Sequence, residues 1–209
     1  MRIIKKIKSS KETDTNQNFY KKYRWFFTKS GKLVYGGKSA RQNEEIVNKI
    51  LEMNKNYLVM HTEIPGSPFA IIDAETRNIN ESDIKETANW TGCFSRAWRE
   101  GMKKVEVGIF NSKDIYKNSK MKEGTFGVKK KIETKKAELK LALVNQRGNI
   151  RAIPMESVRG NQKIYTKFTP GNINKDKFAH KLQGITDKDK DEILNALPTG
   201  GFKEIGSKQ

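Results

Sequence analysis

Residues 81–102, ESDIKETANWTGCFSRAWREGM, carry the strongest helical signal in the chain, and their reading decides the fold. Asn80 or Ser82 opens the segment and Gly101 closes it. At about 100° per residue, Ile84, Ala88, Thr91, Ser95, Trp98 and Met102 share one face. Trp90, Cys93, Phe94, Ala97 and Gly101 form a second face beside it. Only Lys85, Asn89, Arg96, Arg99 and Glu100 fall on the remaining strip. A helix apolar over so much of its circumference is sunk into the body of a protein and shows water one edge, which here carries two arginines.

The segments around it read as strands. Tyr23-Arg24-Trp25-Phe26-Phe27-Thr28 and Leu33-Val34-Tyr35 flank Lys29-Ser30-Gly31-Lys32, so aromatic and β-branched runs meet across a tight reversal as a hairpin. Gly36-Gly37-Lys38-Ser39 then turns into a helix with Ile46, Val47, Ile50 and Leu51 at helical spacing, and Ser39 with Gln42 completes a capping box. Further strands are expected at 57–61, 68–72, 105–110, 124–128, 150–155 and 163–168. The stretch 129–144 reads as strands or a short helix, with strands favoured, 175–182 and 186–197 as helices, and Pro198 to Gln209 as a loose tail. The fold class is α+β: a mostly antiparallel, mixed sheet packed by one long buried helix, with a small basic β/α extension at the C-terminal end. Its parts are a flexible basic segment (1–18), a main domain (19–130) and the extension (131–209).

The chain has 209 residues, 35% of them hydrophobic, with one cysteine and a net charge of +18. Ten Phe, six Tyr and three Trp are enough to build a core. One thiol excludes an internal disulfide and any zinc site built from several cysteines. No apolar run reaches the roughly 18–20 residues of a membrane span, and MRIIKKIK at 1–8 is too poor in apolar residues for a signal peptide. A cytoplasmic protein with no membrane contact is expected. The positive charge is uneven: residues 1–35 carry +8 and 111–170 carry +10, whereas 36–110 carry −1. Cationic blocks beside a near-neutral body point to a polyanionic partner, nucleic acid first.

Individual motifs narrow the chemistry. Gly37-Lys38-Ser39 lacks the glycine five positions earlier that a nucleotide-hydrolysing loop needs, since Lys32 stands there. What remains is an anion seat at a helix start, with Lys38 and Arg41 adding charge, or a plain strand-to-helix turn. His61-Thr62-Glu63 has the H-x-E of zinc deaminases without the partner P-C-x-x-C, so neither a metal nor a cofactor is expected. His61 is read as structural, a general base beside Glu63 or Ser67 being the alternative. Cys93 reads as packing. Trp25 beside Arg24 suits stacking on a nucleic-acid base, or else the core, because alternate strand residues face opposite sides. Leu197-Pro198-Thr199-Gly200-Gly201 is either a backbone-touching glycine hairpin or a helix stop.

Several strings, taken in order, resemble the NFACT-R domain. They are Tyr23 to Thr28 with Gly31, Gly36 to Glu44, His61 to Pro68, Cys93 to Gly101 and Gly124-Thr125-Phe126. This is the RNA-binding domain of ribosome quality-control factors first described in bacteria as fibronectin-binding proteins. The resemblance covers about residues 19–130 and implies RNA binding linked to tRNA and the ribosome, with the chain as a freestanding version of the domain. Arg24, Trp25, Gly37, Lys38, Arg41, Gln42, Asn43, His61, Ser95, Arg96 and Trp98 match the family's motifs. Pro65, where relatives tend to have histidine, and Glu63, where they have aspartate, depart from the pattern and weaken any chemistry in that loop. The resemblance does not extend to residues 131–209.

The expectation is therefore a non-catalytic RNA-binding protein contacting tRNA or ribosomal RNA, with the ribosome and DNA as further partners. Lys38, Arg41, Arg96 and Arg99 would meet phosphates, and Arg24 and Trp25 would stack or touch sugars. Gly37, Gln42, Asn43, His61 and Ser95 would complete the site, while Lys129, Lys130 and Lys131, with Lys135 and Lys136, add general affinity. The alternatives are an RNA-modifying or hydrolytic enzyme using His61 with Glu63, and an adaptor for DNA or acidic proteins.

Overall fold

In the computed structural model the hairpin forms around Gly31, whose φ of 93° is open to a residue without Cβ. β1 (Arg24–Phe27) and β2 (Leu33–Gly36) pair antiparallel with Trp25 opposite Tyr35. The structure describes residues 18–53 and 55–206; the basic segment expected over 1–18 lies outside them apart from Asn18. Ser39 caps α1 (Ala40–Glu52), its hydroxyl accepting the Gln42 N–H at 3.2 Å. Gln42 Oε1 accepts in return from the Lys38 N–H at 2.9 Å, one residue ahead of the bond that a capping box prescribes.

β3 (Leu58–Thr62), β4 (Ala70–Ile72) and β5 (Lys104–Asn111) follow, and β6 (Ile115–Tyr116) with β7 (Gly127–Val128) makes a separate two-stranded ribbon. With β8 (Glu133–Glu138) the main sheet runs β1-β2-β4-β3-β5-β8, antiparallel throughout. Ile46, Val47 and Ile50 of α1 cover one of its faces, packed with Tyr20, Trp25 and Tyr35.

The segment 81–102 is not one helix. It is α2 (Glu81–Cys93) followed by the single turn α3 (Arg96–Arg99). Ser95 makes the break: it is extended, its hydroxyl accepts the Ala97 N–H at 3.1 Å and donates to Gly92 O at 2.7 Å, and so it serves the end of one helix and the start of the next. A second, smaller antiparallel sheet explains the two apolar faces. β9 (Leu141–Gln146), β10 (Asn149–Pro154), β11 (Ile164–Ile173) and β12 (Phe202–Glu204) are ordered β10-β9-β11-β12, and α2 lies between this sheet and the main one. A Cβ on Gly92 would stand 2.8 Å from Val105 and 2.9 Å from Ala137, so glycine sets how closely the helix approaches β5 and β8.

Asn89, on the strip expected to be solvent-facing, is buried, accepting the Glu138 N–H at 2.9 Å and donating to Glu156 at 2.6 Å. Met102, expected on an apolar face, is exposed beyond the left-handed turn at Gly101. Two buried carboxylates fasten α2 to the hairpin turn: Asp83 accepts from Thr28 and Ser30, and Glu86 from the Lys29 N–H and Ser157.

Residues 129–144 supply strands, as favoured, and β9 is buried on both faces, which suits its unbroken LALV run. α4 (Lys175–Thr186) and α5 (Lys190–Ala196) pack on the smaller sheet. The second begins later than expected, because Asp187 takes a left-handed conformation and Asp189 caps the helix, accepting the Glu192 N–H at 2.7 Å. Within the expected loose tail, Phe202 to Glu204 form β12: Phe202 is fully buried and stacks on Phe178 with centroids 4.7 Å apart, and residues 207–209 lie outside the described residues. Gln146 ties the two sheets together, its amide donating to Phe27 O and accepting from Phe27 N–H, both at 2.9 Å.

Candidate nucleic-acid interface

Four turns far apart in sequence meet beside β3 because small residues let them approach. A Cβ at Gly37 would collide with the side chain and backbone of Asn43, so the backbone there lies flat against α1 and delivers Lys38 to the helix start. Asn43, buried, donates to Ser67 O at 3.2 Å and accepts the Phe69 N–H at 3.1 Å, clamping the 65–69 loop to α1. Gly66, at φ 102°, lets the Arg96 side chain lie across it, and the Arg96 N–H donates to Gly66 O at 2.9 Å. Gly124 sits against Ala40 in the same way.

Together these turns enclose a cleft of about 650 Å³. Its cations are Arg24, Lys38, Arg96 and Arg99, and Glu63 and Glu123 are its acids. Phe69, Phe94, Phe110 and Phe126 give it aromatic surface. Among the described residues none of the four cations forms an ion pair. Arg24 lies over the Phe94 ring at 4.9 Å and its guanidinium donates to Asn195 O at 3.3 Å. Burial brings its pKa down to about 10. Lys38 is lowered by burial and then by the charges of Arg24 and Arg151, while Lys175 falls to about 8 through burial and then Arg24. Burial comes first in each case, and Arg24 adds like-charge repulsion on both lysines, so an anion placed among them would favour their charged forms.

Of the residues expected to touch RNA, Arg24, Gly37, Lys38, Asn43, His61, Ser95, Arg96 and Arg99 all line this cleft. Their parts differ. Asn43 and Ser95 are spent on positioning, and Gln42 holds the Lys38 turn from outside the lining. Arg41 is exposed at the start of α1 and does not line the cleft, although its neighbour Ala40 does. Trp25 is 2% exposed, with Tyr20 and Phe27 at its edges and the Arg151 guanidinium over its ring at 3.9 Å, so it has no free face for a base. Lys129 and Lys130 are exposed, whereas Lys131 is paired with Glu63 at 2.7 Å.

His61 stacks on Phe69 at 4.5 Å, and its Nδ1–H donates to Thr62 O at 2.7 Å. Burial lowers its pKa, so the ring is neutral near pH 7. Glu63 is bound to Lys131 and Thr134, and its charge acts on His61 only as a weaker opposition to the lowering by burial. Cys93 is buried in the core and its thiol is pushed well up by burial, in keeping with packing. No sequence motif marks Phe94, Arg151 or Lys175 as a site residue. Phe94 read as a core residue, and Arg151 and Lys175 stand more than a hundred residues from Arg24 in ordinary strand and helix contexts.

The family model for the NFACT protein RNA binding domain matches residues 22–130. The archaeal Rqc2 homolog aRqcH of Methanocaldococcus jannaschii is 28% identical over 98% of this chain and 31% of its own length. The ribosome quality control complex subunit NEMF homolog of Drosophila melanogaster is 32% identical over 38% of this chain and 8% of its own. The chain thus spans under a third of the length of either relative. The solved C-terminal part of the fibronectin/fibrinogen-binding protein from Streptococcus suis aligns with a TM-score of 0.48 at 22% identity, covering 56% of this chain and 45% of that one.

Proposed function

Because the chain belongs to the NFACT protein RNA-binding domain family, we propose that it binds RNA through the cleft between the α1 start, the 65–69 loop and α3, without catalysing a reaction on it. The observation that carries this reading is the gathering of Arg24, Lys38, Arg96 and Arg99 around one cleft with no ion pair among the described residues. Phosphates would meet these cations, and bases or sugars would lie on the Phe69, Phe94 and Phe126 side, since single-stranded or looped RNA is held by stacking and charge together. The RNA we propose is tRNA or ribosomal RNA and the setting ribosome-associated quality control in the cytosol; the Drosophila relative, named as a ribosome quality control complex subunit, supports the setting. Residues 19–130 would form the RNA-binding domain, with Lys129 and Lys130 adding sequence-independent affinity. Residues 131–209 would act as an extension that lends Arg151 to the same surface.

The test is retention of tRNA, ribosomal RNA fragments, duplex DNA and a polyacid at fixed salt by the wild type and by an Arg96→Glu, Arg99→Glu double variant. RNA held in preference to DNA, and released by the double variant, supports the proposal. Equal retention of every polyanion, or RNA binding indifferent to both arginines, defeats it.

A further inference from the structure

Next to the cleft lies a smaller recess of about 200 Å³, and Arg24, Lys38 and Phe94 line both. Its other walls include Trp25 from β1 of the hairpin, Arg151 and Ala152 from β10 of the smaller sheet, and Glu192, Asn195 and Ala196 from α5. Arg151 therefore brings to this point a cation from outside the residues that the family model matches.

Two residues that line the recess carry a buried donor with no acceptor among the described residues: Trp25 Nε1 and Arg151 Nε. Such groups are rare in folded proteins, because a buried donor left unpaired forfeits the hydrogen bond it had with water. Arg151 Nη1 donates to Ile150 O at 2.7 Å, its guanidinium rests on the Trp25 indole, and the Glu192 charge acts on it without an ion pair among the described residues. The one carboxylate of the lining is already engaged: Glu192 accepts the Ile150 N–H at 2.7 Å and lies 3.6 Å from Lys188. Lys21 adds a fourth positive side chain. Neither metal nor base chemistry suits a space lined by donors and cations, and its volume is below the range that accommodates a drug-sized ligand. A single tetrahedral oxyanion matches both its size and its donors.

We infer that this recess is a phosphate-binding pocket in which Arg24, Lys38 and Arg151 hold one phosphate group of an RNA strand whose neighbouring nucleotide lies in the cleft. The inference rests on the RNA-binding reading and adds to it the part played by the extension. The phosphate belongs either to the backbone or to a chain end, and the two demand the same donors.

The experiment follows the three indole N–H signals of the full chain by nuclear magnetic resonance during titration with inorganic phosphate, then with a short RNA bearing a 5′-phosphate and the same RNA with a 5′-hydroxyl. The Trp25 signal is expected to move with phosphate and RNA, while that of Trp98, bonded to Gly201 O at 3.0 Å, stays. Arg151→Gln is expected to remove the phosphate response and weaken RNA binding about tenfold, while Arg77→Gln, at a residue paired with Glu75 and outside both linings, changes neither. A 5′-phosphate preference identifies a terminal group, and equal binding of the two RNAs a backbone one. Movement of Trp25 with phosphate but no binding of RNA upholds the pocket and sinks the RNA reading. A Trp25 signal indifferent to an RNA that does bind, with Arg151→Gln binding as wild type, overturns the pocket. The phosphate titration needs only the wild type, so it decides the matter even if Arg151→Gln folds poorly.

Discussion

The cations of the cleft and the lysines of the β8 edge carry the same formal charge and live in opposite circumstances. Lys131 is paired with Glu63, Lys135 with Glu81 and Glu133, and Lys104 with Glu138. Arg24, Lys38, Arg96 and Arg99 have no carboxylate among the described residues, and Arg24 and Lys38 are partly desolvated as well. Exposed ion pairs contribute little to stability, yet they cancel the field that an incoming anion feels. A partly buried cation without a counter-ion acts through less water and has more to gain from a phosphate. Net charge alone is therefore a poor guide to where a polyanion sits; the distribution of carboxylates decides it.

The contrast breaks first under charge reversal. Arg24→Glu, or the Arg96→Glu, Arg99→Glu pair, is expected to lower RNA affinity by roughly a hundredfold or more, as for loss of two charge-assisted contacts. Lys131→Glu with Lys135→Glu should change it only a few-fold. Filter binding at one salt concentration compares them, and equal losses would abolish the distinction between the two regions.

Packing separates shape from charge. Gly92→Val would drive a branched side chain into Val105 and Ala137 and is expected to cost about 1–3 kcal/mol in chemical denaturation. Protein that remains folded should keep the wild-type salt dependence, because the cleft cations are untouched. A loss of stability within error of zero would mean that α2 does not sit as tightly as described.

A finer measure is the salt slope itself. The plot of log affinity against log salt is expected to flatten by about one unit when a single cleft cation such as Lys38 becomes glutamine. Lys135→Gln, already neutralised, should leave it nearly unchanged.

The smallest effect is a proton. Lys175, held at about 8 by burial and Arg24, is part-neutral at pH 8, and an anion bound beside Arg24 would favour its charged form. RNA binding should then take up a fraction of a proton, seen by calorimetry in buffers of different ionisation enthalpy and absent in Lys175→Met. In the free protein the sign is fixed by the same depression. Below pH 8 the ammonium is charged in both folded and unfolded chains and its cost to folding is complete. From 8 towards its ordinary 10.5 the unfolded chain holds more protons, so stability rises with pH.

Much of this was legible in the linear chain. Turn chemistry at Ser30-Gly31, the cap at Ser39 and the burial of 81–102 are local or periodic properties, and the structure bears them out apart from the break at Ser95, the buried Asn89 and the exposed Met102. That break escaped because a serine side chain can finish one helix and start another only when both ends are present. The tail at 198–209 misled because Phe202 is a single apolar residue in a glycine-rich stretch, and only the partners Phe178 and Phe168 make it a strand residue.

Periodicity, caps and the matching strings thus determined the α+β class, the family and most of the cleft's lining, since each depends on neighbours in sequence or on backbone freedom at glycine. Tertiary structure alone decided that Trp25 is core, that Lys131 is neutralised, and that Arg151 reaches Arg24 and Lys38. Those are facts about which charges and rings become neighbours after folding, and electrostatic and packing energies depend on distance through space, which the order of residues along a chain does not encode.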